Sequence, residues 1–194
     1  MIYNVSGRLA SKDEHFAVVD ASGMGLKIFA SARTLASLPA LGTSVKLFTH
    51  LHVREDSLDL YGFPTPEELN FFELLISVSG VGPKSALSIM DVSELKNLSA
   101  AIKEGRPDLL TRASGIGRKT AERIILDIKS KVISEKSGMV VGKMEADADL
   151  VETLVGLGYR RDQAKAALEK VGDKVVNLEE RLKAALKFLG TQRT

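Results

Sequence analysis

Two stretches of this 194-residue chain share one pattern, SGVGPKSA at residues 79–86 and SGIGRKTA at residues 114–121. Serine, both glycines, lysine and alanine occupy the same places in the two copies, which begin 35 residues apart. The glycines of each copy lie between two stretches of helical periodicity. Each copy therefore predicts a tight turn that ends one helix and begins the next.

Each predicted turn is suited to bind an anion. The first turn of a helix exposes unpaired backbone N–H groups at the positive end of the helix dipole, and glycine lets a phosphate approach the backbone closely. Lys84 follows the first turn, and Arg118 and Lys119 follow the second. The alternative is that the glycines only make tight corners between helices, but two copies in register favour phosphate binding. Nothing in the pattern reads a base.

The distribution of charge also favours a nucleic acid as partner. The net charge is only +2, but residues 79–131 carry ten Lys or Arg against six Asp or Glu, a local excess of +4. Both turns lie in this basic stretch, and local charge predicts partners better than the total does.

Composition excludes several other classes of protein. The 44% hydrophobic content is that of a globular protein, and no apolar run is long enough for a membrane helix. No signal peptide follows Met1, so we expect a cytoplasmic location. The absence of cysteine excludes disulfides and thiolate metal sites, and the absence of a G-x-x-x-x-G-K-[ST] motif excludes a P-loop ATPase.

The first 64 residues have the alternation of β-strands. In SVKLFTHLHV, residues 44–53, every second residue from Val45 to Val53 belongs to one mostly apolar face. Five strands suggest a small barrel, and the oligonucleotide-binding (OB) barrel has that strand number. The predicted strands are residues 3–9, 16–19, 26–30, 44–53 and 58–63.

The rest of the chain is predicted to be helical. Thr65 and Glu68 form a capping box around Pro66, which suits the first position of a helix. Residues 134–146 have two glycines and no sustained period, so they predict a flexible linker. The predicted helices are residues 66–79, 83–90, 93–104, 107–113, 118–133, 150–157, 163–171 and 178–189.

The repeated turn resembles the helix-hairpin-helix motif, and the whole chain resembles the RuvA family of Holliday-junction-binding proteins. The resemblance is carried by FTHLHVREDSLDLYGF (48–63), LLISVSGVGPKSAL (74–87) and SGIGRKTAERIILDIK (114–129), and it is looser over the last 48 residues. Three residues depart from the family pattern: Ser114 replaces proline, Arg118 replaces lysine, and Leu26 replaces an aromatic residue.

The resemblance implies an α+β multidomain protein. An OB-type barrel with an acidic pin (1–64) precedes a tandem helix-hairpin-helix domain (65–133), the linker (134–146) and a three-helix module similar to ubiquitin-associated domains (147–194). It implies binding to the DNA backbone without sequence preference. The DNA-binding residues would be Gly80, Val81, Gly82, Lys84, Ser85, Gly115, Ile116, Gly117, Arg118, Lys119, Thr120 and Arg123.

The resemblance also gives a meaning to Glu55 and Asp56, which by themselves predict only a solvated hairpin loop. In the RuvA family, the acidic residues at the matching positions form a pin at the centre of a tetramer. There the carboxylates repel phosphates and help to separate the DNA strands. The implied protein is a homotetramer or octamer that binds a four-way junction in recombination and repair. It would have no cofactor and no catalysis of its own, and its partners would be a RuvB-like ring ATPase and the resolvase RuvC. Residues implied to dock the ATPase are Leu154, Leu157, Gly158 and Tyr159.

Several alternatives stay open at this stage. The chain could be a general DNA binder, a nuclease accessory, or a DNA glycosylase or lyase with Lys84 or Lys119 as nucleophile, although such a lysine needs a desolvated pocket. A magnesium site at Glu55 and Asp56 lacks a third ligand, as does a metal site formed by the pair His50 and His52. Two aromatic residues of the last strand could stack on bases, but a core or interface role is favoured for them; they are Tyr61 and Phe63.

Overall fold

The computed structural model describes residues 2–132, 137–171 and 178–190, which divide into two compact units at residue 137. The first unit contains a β-barrel and the helices of the middle region, and the second contains the C-terminal helices. The predicted α+β class, with a barrel followed by helical regions, is therefore confirmed. In the described ranges, no helix has both the length and the apolar character needed to cross a membrane.

Five strands close the barrel, as predicted. They are β1 (Asn4–Lys12), β2 (Phe16–Ala21), β3 (Met24–Phe29), β4 (Ser44–Val53) and β5 (Leu58–Phe63). Their order around the barrel is β1-β2-β3-β5-β4. Neighbouring strands are antiparallel except β3 and β5, which run parallel where Ile28 pairs with Leu60.

The inward faces of the strands fill the barrel with apolar side chains. The alternation predicted for β4 is present, since Leu47 and Thr49 are buried, but Val53 at its end is exposed. Gly62 has to be glycine, because a Cβ there would overlap the side chain of Ile28. The main core cluster consists of Val5, Val19, Ile28, Leu47 and Leu60.

A short helix, α1 (Ala32–Ser37), follows β3 and was not predicted. It is capped by the Ser31 side chain, which accepts a hydrogen bond of 3.1 Å from the Thr34 N–H. Six residues are too few for a helical period to stand out in a sequence. Of the capping box predicted for α2 (Pro66–Ile76), the Thr65 cap is confirmed, since the Thr65 hydroxyl accepts a 3.2 Å bond from the Glu68 N–H.

Four further helices complete the first unit: α3 (Pro83–Val92), α4 (Leu95–Glu104), α5 (Pro107–Leu110) and α6 (Arg118–Ile128). Helices α2 to α6 share one apolar core with strand β5 of the barrel. The Phe72 ring of α2 lies 4.8 Å from the Phe63 ring and 5.4 Å from the Tyr61 ring, measured between centroids. The barrel and the helices around the two turns are therefore packed against each other.

The second unit contains α7 (Ser137–Gly156), α8 (Arg161–Val171) and α9 (Leu178–Gly190). The structure corrects the prediction of a flexible linker at residues 134–146, because residues 137–146 belong to α7. Residues 134–136 lie outside the described part of the chain. The two glycines lower helix propensity, but Met, Lys, Glu and Ala around them are good helix formers.

An ion pair joins the first and last helices of the second unit. The Arg181 side chain is 4% exposed, and its Nη2 lies 2.7 Å from the Asp147 Oδ1. A second bond of 3.0 Å joins the Arg181 Nε to the same oxygen. Around this pair, the apolar core includes Leu150, Leu154, Ala164, Leu168 and Leu189.

Candidate nucleic-acid interface

The two repeated turns have nearly the same backbone. Gly80 and Gly115 have positive φ angles of 87° and 79°, which side-chain-bearing residues rarely adopt. Gly82 is the N-cap of α3 with φ −88° and ψ 171°, and Gly117 is the N-cap of α6 with φ −83° and ψ 168°. The sequence repeat is thus also a structural repeat.

The apolar residue between the glycines anchors each turn. Val81 and Ile116 are buried, and their N–H groups donate to the carbonyls of Val78 at 3.0 Å and Ala113 at 3.2 Å. Both had been predicted among the DNA-binding residues. Their side chains and N–H groups are instead engaged inside the protein, so their part in any phosphate site is to hold the turn.

The second glycine of each turn leaves space above the backbone. No heavy atom lies within 4 Å of the position that a Cβ would take on Gly82 or Gly117. No side chain caps α3 or α6, whereas Ser31 and Thr65 cap α1 and α2. The N–H groups at the start of α3 and α6 are therefore accessible to an external anion.

The two turns differ in the number of donors that they offer. The first intrahelical bonds run from Ala86 to Gly82 and from Ala121 to Gly117, so the N–H groups of the preceding residues have no intrahelical partner. Pro83 removes one such donor from the first turn. The remaining donors belong to Gly82, Lys84 and Ser85 in the first turn and to Gly117, Arg118, Lys119 and Thr120 in the second.

Exposed cations lie beside these donors. Lys84 and Lys119 are exposed at equivalent places, and the Arg118 side chain is 83% exposed. The Arg118 Nε lies 2.9 Å from the Glu122 Oε1. A surface ion pair of this kind contributes about 0.3–0.5 kcal/mol, so a phosphate can compete for the guanidinium.

Two hydrogen bonds cross between the copies. The Arg123 Nη1 on α6 donates to the carbonyl of Ser79 at 3.1 Å, and the Ser88 Oγ on α3 donates to the carbonyl of Ser114 at 3.2 Å. Arg123 had been predicted from the resemblance as a DNA-binding residue. Ser88 was missed, because nothing in its local sequence indicates a bond to a turn 26 residues away.

The predicted acidic pin forms the tip of the β4–β5 hairpin. The Arg54 N–H donates to the Ser57 carbonyl at 2.9 Å, which closes a tight turn, and Glu55 and Asp56 at its tip are exposed. The apolar residues at the base of the hairpin, Val53 and Leu58, are 64% and 71% exposed. The hairpin therefore presents carboxylates and two uncovered apolar side chains to its surroundings.

Comparisons with known proteins assign each region of the chain. Residues 1–62 match the family described as RuvA N terminal domain, residues 72–130 match SAM-like Helix-hairpin-helix tandem, and residues 145–190 match RuvA, C-terminal domain. The chain belongs to the RuvA family.

Curated relatives at about 40% identity carry one name, Holliday junction branch migration complex subunit RuvA. The relative from Dehalococcoides mccartyi is 41% identical over 194 residues, which cover 99% of this chain and 100% of the relative. The relative from Thermoanaerobacter sp. is 42% identical over 189 residues, covering 97% and 99%. The relative from Acetivibrio thermocellus is 41% identical over 199 residues, covering 97% and 98%.

The four predicted docking residues lie in the region that matches the RuvA C-terminal domain, and their exposure to solvent differs. Leu154 is fully buried in the core of the second unit, so the prediction that it contacts a partner directly was wrong. Leu157 is 58% exposed, Gly158 is exposed with a positive φ of 92°, and Tyr159 is half-buried. Of the four residues, only Leu157, Gly158 and Tyr159 are therefore accessible for the docking that the sequence predicts.

The positions of the lysines disfavour a glycosylase or lyase in this RuvA-family chain. Lys84 and Lys119 are exposed, whereas a lysine nucleophile needs a desolvated pocket. A cavity of about 190 Å³ does lie in the same unit, but neither lysine lines it. It lies beside α1, α2 and α4 and is lined by Arg33, Glu68 and Leu98 among others. Burial raises the pKa of the Glu68 carboxyl in this cavity.

The barrel residues that were considered as metal ligands or as base-stacking residues make contacts within the protein. The His50 Nδ1 lies 3.1 Å from the Glu73 Oε1, and the His50 and His52 ring centroids are 6.3 Å apart. Among the described residues, no group of three or more His, Asp or Glu could hold a metal ion. Tyr61 and Phe63 are buried against α2, in agreement with the core reading and not with base stacking.

Proposed function

We propose that this protein is a non-catalytic scaffold that binds four-way DNA junctions and recruits a ring ATPase for branch migration in recombination and repair. The observation that carries the proposal is the pair of equivalent, uncapped helix N-termini at Gly82 and Gly117, each beside exposed cations. The names of the RuvA relatives support the junction as the substrate.

Each turn would bind one stretch of DNA backbone. A phosphate oxygen accepts from the free N–H groups at the start of α3 or α6, while Lys84 or the pair Arg118 and Lys119 supplies positive charge. Backbone contacts of this kind fix position and carry no sequence information. Binding is therefore expected to depend on DNA shape and on salt rather than on sequence.

The acidic tip at Glu55 and Asp56 would act by repulsion. Carboxylates on a DNA-binding surface disfavour continuous duplex backbone at that point and leave room for unpaired bases. A junction, whose centre can open, tolerates such a tip better than an uninterrupted duplex does. The selectivity for junctions would thus come from the tip, and the affinity from the turns.

The assembly that suits this function is a homotetramer or an octamer of two tetramers, with four tips around the centre of the junction. The exposed apolar residues Val53 and Leu58 at the base of each tip support close contact between copies. The second unit would dock a RuvB-like ATPase through Leu157, Gly158 and Tyr159, and the DNA-bound assembly would also meet the resolvase RuvC. ATP hydrolysis belongs to the partner. The location would be cytoplasmic.

The test is a binding measurement on an immobile four-way junction and a duplex of equal length at equal salt, with end-labelled strands. We expect tighter binding to the junction and intact strands. Equal affinity for both DNAs would indicate a general DNA binder, and cleaved strands would indicate a repair enzyme. Either result would reject the proposal.

A further inference from the structure

The two hydrogen bonds between the copies are related by the sequence repeat. Ser88 and Arg123 are 35 residues apart, as are Ser79 and Ser114, whose carbonyls they bond. Each copy therefore uses the same helix position to bond the first residue of the other copy's turn. The chemistry differs, since one donor is a hydroxyl and the other a guanidinium.

These bonds act beside the residues whose backbone is least restricted by a side chain. Ser79 and Ser114 directly precede the glycines with positive φ, and glycine restricts the backbone least. A hydrogen bond to the preceding carbonyl restrains the entrance of each turn. Because the donor is on α3 or α6, the helix that follows the other copy's turn, the bond also restrains the distance between the two turns.

We propose that Ser88 and Arg123 are positioning residues that hold the two turns at one spacing, so that both phosphate sites bind the DNA backbone as a single unit. The proposal rests on the proposed DNA binding by the turns. Two sites held at the spacing of their targets bind with a higher effective concentration than two sites that move independently. Phosphates along a DNA strand have a fixed spacing, so a fixed spacing of the turns is an advantage.

Arg123 has a second part in this arrangement, because it brings a cation to the weaker turn. Its Nη1 lies 3.7 Å from the position that a Cβ would take on Gly80. The first turn has only Lys84 and lacks the N–H of Pro83, whereas the second has Arg118 and Lys119. Arg123 thus adds from α6 the charge that the first turn lacks, and Ser88 adds none to the second.

The experiment separates positioning from local support by changing Ser88 in two backgrounds. Ser88 bonds the second turn, so the informative background is Gly82→Val, which blocks phosphate approach at the first turn. We expect Ser88→Ala to weaken junction binding several-fold in the wild-type protein. In the Gly82→Val protein we expect it to weaken binding less than about twofold, because only one turn still binds phosphate and its distance from the other turn no longer matters. Equal weakening in both backgrounds, or no weakening in the wild type, would overturn the proposal.

The matched control is Ser77→Ala. The Ser77 Oγ donates to the Leu74 carbonyl at 2.7 Å, so this change removes the same kind of bond within a single helix end. We expect it to leave junction binding unchanged in both backgrounds. A loss equal to that of Ser88→Ala would mean that any lost serine bond has this effect, and would overturn the proposal.

Salt dependence distinguishes the two positioning residues. The logarithm of the association constant falls with the logarithm of the salt concentration. We expect Arg123→Gln to make this slope less negative by about 0.9, the contribution of one phosphate contact, and Ser88→Ala to leave it unchanged. An unchanged slope for Arg123→Gln would reject its role as a cation of the first turn. If Gly82→Val binds junctions as tightly as the wild type, the proposed function of the turns fails first, and the positioning role with it.

Discussion

At the scale of single residues, the four turn glycines fall into two kinds. Gly80 and Gly115 have positive φ, so their backbone conformation itself requires glycine. Gly82 and Gly117 have negative φ and open space where a Cβ would be, so the fold would accept a side chain there. The proposed approach of a phosphate from outside would explain glycine at those two positions.

This difference predicts opposite effects for two neighbouring substitutions. Gly117→Val should keep the free energy of unfolding within about 1 kcal/mol of the wild type but weaken binding to every DNA sequence, since the side chain obstructs a phosphate. Gly115→Val should cost about 1–3 kcal/mol of stability through backbone strain. Chemical denaturation and equilibrium binding to duplex check both. Undiminished DNA binding by Gly117→Val would contradict this role of the open glycines.

At the scale of elements, the barrel and the helical region depend on one aromatic cluster. Phe72 of α2 is fully buried and contacts Tyr61 and Phe63 of β5, so the orientation of the turns relative to the barrel is set here. His50 adds a bond of 3.1 Å to Glu73 on the same helix. The hairpin with the acidic tip and the helices with the two turns are therefore parts of one packed unit.

Phe72→Ala should destabilise this unit by about 3–5 kcal/mol, the usual cost of removing a buried aromatic ring. Far-UV circular dichroism during urea unfolding measures the loss. Asp147→Ala provides the counterpart in the second unit, since it removes a carboxylate that accepts two bonds from the buried Arg181 guanidinium and should cost about 1–3 kcal/mol there. A loss below about 1 kcal/mol for Phe72→Ala would contradict the shared core.

The sequence could predict the elements whose signals lie within a short stretch of residues. The strands, the cap at Thr65 and the two turns have local patterns, and all of them were found. Helix α1 was missed because it is short, and the start of α7 because two glycines obscured a helical composition. The bonds of Ser88 and Arg123 and the burial of Leu154 depend on packing between distant segments, which no local pattern contains.

At the scale of the whole molecule, the two compact units are proposed to carry different functions. The turns and the acidic tip lie in residues 1–137, and Leu157, Gly158 and Tyr159 lie in residues 138–194. A chain that ends at Ser137 should bind four-way junctions nearly as tightly as the full chain and fail to stimulate a RuvB-like ATPase. Branch migration by the ATPase with the shortened protein would contradict docking through the second unit.

Junction selectivity is proposed to depend on the charge of the tip, and reversing that charge tests this proposal most directly. If Glu55 and Asp56 only form a solvated loop, Glu55→Lys with Asp56→Lys should alter stability by a few tenths of a kcal/mol and tighten binding to all DNA alike. If they exclude duplex backbone, the double variant should gain more affinity for duplex than for a four-way junction. The measurement is the ratio of the duplex and junction dissociation constants at matched salt, with assembly size checked by light scattering. We expect this ratio to fall in the double variant, and an unchanged ratio in an intact assembly would contradict the role of the acidic tip.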